Sequence, residues 1–518
     1  MPGLVESEGQ RQIGLHIPTS AMGINQCAHR CEPLPFPDES GAAPAAGPRK
    51  YLRHVRAWSY RVTLGNLDGT NAPCGRCDGM ETVGLPTRTG GVTLKVLVYC
   101  YGNRGDVQPY LALAYALRRA GHEAVLAAPR LFAPLADQYG VPFAPLDDAA
   151  VTVRSRADIR RLQAHSDRPT PEVEEQRRAV RRQMVPHYAA VLRDLWEAAA
   201  CGPDVIVHSH AFREVLPQIA ERLKVPHVLG SLYPNFVVSR DYPAFGMLSD
   251  VFSGKEDTSR TDVRTYLPPA VIDVVDQWRA DTLGLPPREG YLDFRFSAHG
   301  APAPVLHCFS PHVLAPGSDW PDSVHTDGFW HLPPPPGWQP PDRLLRFLED
   351  GEKPVLIGFG SALGTDPEGT TALVLDAVRE SGLRAVIVAG WGGLDVDGAP
   401  DGVLALDEVP YGWLLPRVRV AVNSGSLGAH NAALTAGVPQ VVCPFEVNQL
   451  MWGEHLHRLG VAPAPLRQRE LTSSALARAI TTAATDPAVA TAAAELGERL
   501  RAEDGAASAV RFLERIQP

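Results

Sequence analysis

From Thr93 onward the chain repeats one unit: a short apolar run, a turn of small residues, then an amphipathic helical stretch. "TLKVLVYC" (Thr93–Cys100) is followed by a helical face of Leu111, Ala114, Tyr115, Ala116 and Leu117, which Gly121 closes, and then by "EAVLAA". "DVIVHSH" (Asp204–His210) precedes a helix over Val215–Leu223, and "HVLGSLY" comes next. Glu172–Ala200 reads as a long polar helix, which Pro186 is expected to break. Strands that alternate with helices cannot pair as hairpins. They form a parallel sheet covered on both faces.

A second series follows "HLPPPPGWQPP" (His331–Pro341). Four consecutive prolines, Pro333 to Pro336, continue neither helix nor sheet and act as a stiff spacer. "PVLIGFGS", "AVIVAG", "GVLALDEV", "VRVAVN" and "QVVCPF" then give five further apolar strands between helical patterns. The expected fold class is α/β, with two doubly wound Rossmann-like parallel-sheet domains facing a cleft. The expected boundaries are 92–326 for the first domain, 327–344 for the linker and 345–518 for the second. Glu495–Ile516 is helical in pattern and is expected to pack back across the domains. Ligands of such sheets bind at the carboxyl ends of the strands.

A chain of 518 residues is too long for one core, which agrees with two or three domains. A net charge of −9 without a basic face argues against a nucleic-acid partner. No apolar run is long enough to span a bilayer. The start "MPGLVESEGQ" lacks a basic segment followed by an apolar one, so the expected location is cytoplasmic. Residues 1–91 differ in texture, being rich in Gly, Pro and turn residues, and they hold four of the eight cysteines. Cys27, Cys31, Cys74 and Cys77 are spaced as a thiolate zinc site would be, and a structural zinc is one reading. The alternatives are a disordered extension and a start codon misassigned upstream of Met80 or Val92.

Within "RVAVNSGSLGAHNAALTAGVPQVVCPF" a strand ends at Asn423, and the turn Ser424-Gly425-Ser426-Leu427-Gly428 leads into a helix. Such a turn presents backbone N–H groups and the positive end of a helix dipole, which suit a diphosphate. Ser424 and Ser426 add hydroxyls and Asn423 an amide; a second turn, Gly358-Phe359-Gly360-Ser361, follows another strand. The spacing fits neither a dinucleotide fingerprint nor a P-loop. In the first domain, "GNRGDVQPY" puts Asp106 at a helix start beside the cleft, as either a general base or a capping residue. His208 and His210 are expected to reach the same cleft, or else to be satisfied residues lining it.

"GNRGDVQPYLALAYALRRAGHE", "FWHLPPPPGWQPP", "VLIGFGS", "DEVPYGWLLPRV" and "GVPQVVCPFEVNQLMWGEHLHRLGVAPAPL" together resemble the family 1 glycosyltransferases, in their bacterial natural-product and sterol glucosyltransferase-like branch with the GT-B fold. The resemblance runs from about Val92 to the C-terminus. It implies inverting, metal-independent transfer of a sugar from a UDP- or TDP-sugar to a hydroxyl of a lipophilic acceptor, with no cofactor required. It implies that Asp106 is the base, with Arg104, His208 and His210 on the acceptor side. On the donor side it implies Gly360, Ser361, Trp391, Val409, Asn423, Gly425, Ser426, Leu427, Gly428, Asn448 and Gln449. Three positions depart from the family pattern. Asn423 stands where a phosphate-contacting histidine is usual, Asn448 where a sugar-binding aspartate is usual, and Asn431 where many relatives carry a ribose-binding acid. Asn448 changes the hydrogen-bond pattern and implies a deoxygenated or amino-substituted donor sugar. The departures also leave open a second class, a catalytically silent relative that partners another transferase or binds a glycoside.

Overall fold

Among the described residues every ladder between strands is parallel, and the central strands are buried on both faces, as apolar runs without alternation require. The computed structural model describes residues 93–516, apart from 150, 152–170, 238, 243–268, 288–292, 361–365, 390–393, 395–399, 446 and 468–469. Chain order in the first half is β1 (Lys95–Tyr99), α1 (Arg104–Arg119), β2 (Glu123–Pro129), β3 (Phe143–Leu146), α2 (Pro171–Ala198), β4 (Val205–His208), α3 (Leu216–Leu223), β5 (His227–Ser231), α4 (Pro269–Asp281), β6 (Val305–His307) and β7 (Val324–Thr326). The second half runs α5 (Asp342–Glu349), β8 (Val355–Gly358), α6 (Pro367–Ser381), β9 (Ala385–Val388), β10 (Val403–Leu406), β11 (Val420–Asn423), α7 (Leu427–Ala436), β12 (Gln440–Val442), α8 (Val447–Arg458), α9 (Ser473–Thr485), α10 (Pro487–Arg501) and α11 (Gly505–Leu513).

The two sheets are ordered β3-β2-β1-β4-β5-β6-β7 and β10-β9-β8-β11-β12. Each reverses direction once, between β1 and β4 and between β8 and β11. In open α/β sheets that reversal opens a crevice at the carboxyl ends of the two central strands. The turns after β1, β4, β8 and β11 are therefore the four that matter for ligands.

One face of the first sheet packs Val96, Val98 and Val207 under α1, and the other packs Leu97, Ile206 and Leu146 under α2, α3 and α4. The α1-side core does not stop at the linker. Leu427, Leu434, Trp452 and Leu456 of the second half belong to the same buried cluster as Tyr110 and Leu117. The chain's last helix, α11, packs against α1, and His122 Nε2 lies 3.1 Å from Glu514 Oε1.

Pro186 does not break the long helix. α2 runs unbroken for 28 residues with Pro186 inside it and exposed. A proline removes one backbone donor, but Val191, Leu192 and Leu195 on the same helix bury against Val271, Val275 and Trp278 of α4. Tertiary packing outweighs the local defect.

Candidate active site

At the first reversal, the loop after β1 delivers Asp106 to the third position of α1, where its Oδ2 accepts the Asn103 N–H at 2.9 Å. The capping role and a site at the crevice are thus combined in one residue. Gly102, at φ +143°, lies so close that a Cβ there would overlap the Asp106 carboxylate. Only glycine lets the backbone pass, and the carboxylate is held from behind. Burial chiefly, and the negative charge of Asp106 next, push the neighbouring Cys100 thiol well up.

At the end of β4 the Ser209 N–H bonds to Tyr99 O at 2.9 Å, and the buried Ser209 Oγ has no hydrogen-bond partner. His210 stacks on Phe236, with ring centroids 5.0 Å apart, and meets Tyr233 edge-on. The Arg213 guanidinium lies 5.3 Å from the Phe236 ring centre. Tyr233 and Phe236 thus gather around His210.

His208 is a correction. It is 0% exposed, with Nδ1 3.0 Å from Ser209 O and Nε2 3.4 Å from His227 Nδ1. Strand alternation puts it on the face of Ile206, beneath the covering helices, and not at the cleft. Burial, then the His227 ring, lowers its pKa to about 3, so it is neutral. Arg104 opens α1, two residues before Asp106. Its Nη1 forms an ion pair of 2.9 Å with Glu408 Oε2 of the second half.

At the second reversal Asn423 of β11 pairs with Gly358 of β8, so the two glycine turns lie side by side. Asn423 is spent on the turn itself. Its Nδ2 donates to Gln440 Oε1 at 2.8 Å, and its Oδ1 accepts the Gly425 N–H at 2.7 Å. Gly425 sits at φ +80°, where a Cβ would come within 2.8 Å of Gln449 O. The turn and the start of α8 thus pack backbone against side chain space that only glycine leaves.

What remains exposed to a ligand is the head of α7. Its cap residue Ser426 makes no side-chain capping bond, so the first-turn N–H groups keep no side-chain acceptor. Ser424 Oγ is buried, on a residue 0% exposed, and has no hydrogen-bond partner. Space is open at Gly428 and Gly360, where an added Cβ meets nothing within 4 Å. Asn448 Oδ1 and Asn431 Oδ1 are likewise buried without partners, whereas Gln449 Oε1 accepts the Phe445 N–H at 2.8 Å. Leu427 and Val409 point into the core, which leaves only their backbone groups for a ligand. Ser361 and Trp391 lie outside the described residues.

His430 escaped the sequence reading. It is fully buried, with Nδ1 3.2 Å from Gly425 O, its ring against Trp452 and its Nε2 unpartnered. Burial brings its pKa down to about 4. An i+5 contact back onto a glycine carbonyl has no signature in one sequence.

Cys27, Cys31, Cys74 and Cys77 lie outside the described residues, and among the described residues no group of His, Cys, Asp or Glu is arranged to hold a metal. Among the same residues no helix is long and apolar enough to cross a membrane.

Residues 96–229 match the Glycosyltransferase family 28 N-terminal domain, and residues 373–515 match the Erythromycin biosynthesis protein CIII-like C-terminal domain. The O-mycaminosyltylonolide 6-deoxyallosyltransferase of Streptomyces fradiae is 31% identical over 449 residues, covering 81% of this chain and 97% of that one. The chain belongs to the family 1 glycosyltransferases. Among other members, the Sterol 3-beta-glucosyltransferase of Emericella nidulans is 30% identical over 436 residues, or 82% of this glycosyltransferase chain. The match spans only 30% of that fungal protein's length. Solved structures agree on the GT-B fold. The calicheamicin glycosyltransferase CalG4 superposes with a TM-score of 0.58 at 22% identity, covering 82% of this chain and all of that one. SsfS6 of Streptomyces sp. SF2575, complexed with thymidine diphosphate, gives 0.53 at 19% identity with the same coverage.

Proposed function

We propose that this family member transfers a sugar, with inversion, from a nucleoside diphosphate donor to a hydroxyl of a lipophilic acceptor such as a natural-product aglycone or a sterol-like molecule. The single observation that carries the reading is Ser424, a buried hydroxyl with no partner, at the head of a helix whose first turn is uncapped, on the sheet's reversal point. An anion at that place gains several N–H donors, a hydroxyl and the dipole together. Residues 92–326 would hold the acceptor and 345–518 the donor, with 327–344 joining them.

In this mechanism Asp106 takes the proton of the acceptor hydroxyl as its oxygen attacks the anomeric carbon. The bond from that carbon to the diphosphate oxygen breaks, and the pair of electrons leaves with the diphosphate. The charge that grows there is met by the α7 N–H groups, Ser424 and Ser426, a preorganised electrostatic stabilisation. Val409 meets the nucleobase through its backbone. Gly360, Ser361 and Trp391 complete the donor side, while His210 with Tyr233 and Phe236 forms part of the acceptor wall. Arg104 belongs between the two sides. TDP is the favoured nucleotide, since SsfS6 and the spinosyn rhamnosyltransferase SpnG are both seen with thymidine diphosphate. Asn448 Oδ1 can accept from a sugar hydroxyl or amino group but lacks the charge of an aspartate, which supports a deoxygenated or amino-substituted sugar. The proposed location is the cytoplasm.

The test is a thermal-shift panel of TDP, UDP and GDP on wild type and Ser424→Ala, followed by transfer assays with the matching sugars. One nucleotide should raise the melting temperature of the wild type selectively, and less in the variant. No shift with any of the three would refute the donor site.

A further inference from the structure

The geometry points to Arg104 and Glu408 as a clamp across the crevice, with Arg104 a positioning residue for the transfer step. This rests on the transferase reading above and adds to it a residue pair that sets the distance from base to donor.

Arg104 opens α1, two residues before Asp106, and its Nη1 lies 2.9 Å from Glu408 Oε2, 304 positions along the chain. Its Nε also donates to Gln108 Oε1 at 3.2 Å, one turn further on, which fixes the direction of the guanidinium. A cation in the first turn of a helix opposes the helix dipole, so Arg104 weakens its own helix. Its position is explained by what it reaches and not by helix stability.

Both ends of the pair are anchored in rigid structure. On one side, Asp106 and Arg104 share a first turn that Gly102 and the Asn103 N–H hold in place. On the other, Glu408 lies between β10 and the helical turn Tyr411–Leu414, and its neighbour Val409 is buried. The Tyr411 hydroxyl abuts Gly358, where a Cβ would come within 2.5 Å of it, so this loop is tied to the turn after β8. Drawing Glu408 toward Arg104 therefore draws the donor turns toward Asp106.

The pair is solvent-exposed, with side chains 46% and 73% accessible. A contact of this kind is weak and screened by salt, which suits a clamp that must open for every donor and product.

The experiment uses the full chain with Arg104→Glu, Glu408→Arg, the double reversal and Glu408→Gln. Turnover is read as TDP or UDP release from TDP- and UDP-linked glucose, 6-deoxyglucose and amino-sugar donors, with 4-methylumbelliferone as acceptor. TDP affinity is read by calorimetry. Each single reversal should lower kcat by about tenfold and Glu408→Gln by about threefold, while the TDP Kd stays within about twofold; the double reversal should recover to within about threefold of wild type. Rescue is the decisive readout, because damage to folding would accumulate and not cancel. Single reversals at wild-type kcat, or a double reversal no faster than the slower single, overturn the clamp while leaving the transferase reading intact. A wild type that neither binds TDP or UDP nor releases them overturns the transferase reading, and the clamp with it.

Discussion

A buried hydroxyl usually finds a partner inside the protein, and Ser424 has none among its neighbours. Removing such a group takes away an unmet desolvation cost, so Ser424→Ala should leave thermal stability unchanged or slightly raised. The same change should weaken nucleotide binding by about ten- to a hundredfold, since a hydrogen bond to a charged group contributes about 1.5–3 kcal/mol. Melting curves with and without TDP read both effects, and a fall in both would mean that Ser424 is structural. Asp106→Asn separates roles in a similar way. An asparagine Oδ1 still accepts the Asn103 N–H, so the helix start survives. It cannot take a proton, so kcat should fall by about 10²–10⁴-fold with TDP binding retained. A kcat within threefold of wild type would remove Asp106 as the base. At this scale the placement of Asp106 at a helix start and of Ser424 in a turn after a strand was legible, because residue type and turn announce both. The sequence was not legible where a neighbour decides: the partners of Asn423 and His208 are Gln440 and His227, which are distant in the chain.

Among the elements, the apolar runs announced all the strands that form the two reversal points, because strands buried on both faces need no alternation. The glycine turns were equally plain, and Gly425 shows why the type is fixed. With φ +80° and a would-be Cβ 2.8 Å from Gln449 O, Gly425→Ala strains the backbone and pushes α8 off the turn. The expected cost is about 1–3 kcal/mol together with loss of TDP binding, checked by chemical unfolding and calorimetry. The long helix α2 shows the opposite case. Local rules stop it at Pro186, yet α4 carries it through, so Pro186→Ala should restore a backbone bond and stabilise the fold by about 1–3 kcal/mol. An unchanged denaturation midpoint would show that the helix has already absorbed the defect.

At the scale of the whole molecule, buried histidines are enclosed as neutral rings, among them His208 and His307, lowered by burial to about 3, and His227 and His430, lowered by burial to about 4. Their ordinary value is 6.5, so the unfolded chain takes up protons that the folded chain refuses. The stability they contribute is complete above pH 6.5. It is lost as pH falls from there toward 4 and then 3, at up to about 1.4 kcal/mol per pH unit for each ring. Melting temperature should therefore drop steeply between pH 6.5 and 4.5, and His208→Asn should shallow that slope whatever it does to the starting value. A flat profile would contradict the enclosed neutral state. The shared core has a different consequence, for anyone exchanging halves between relatives. Because α11 comes last in the chain yet lies on α1, and because Trp452 and Leu434 are continuous with Tyr110, a graft cut at the proline run severs one body of oil along a line the sequence does not mark. The functional crossover is discontinuous: the first half should travel with residues 505–516 of its own parent, leaving the second half as an insert between two pieces of its host.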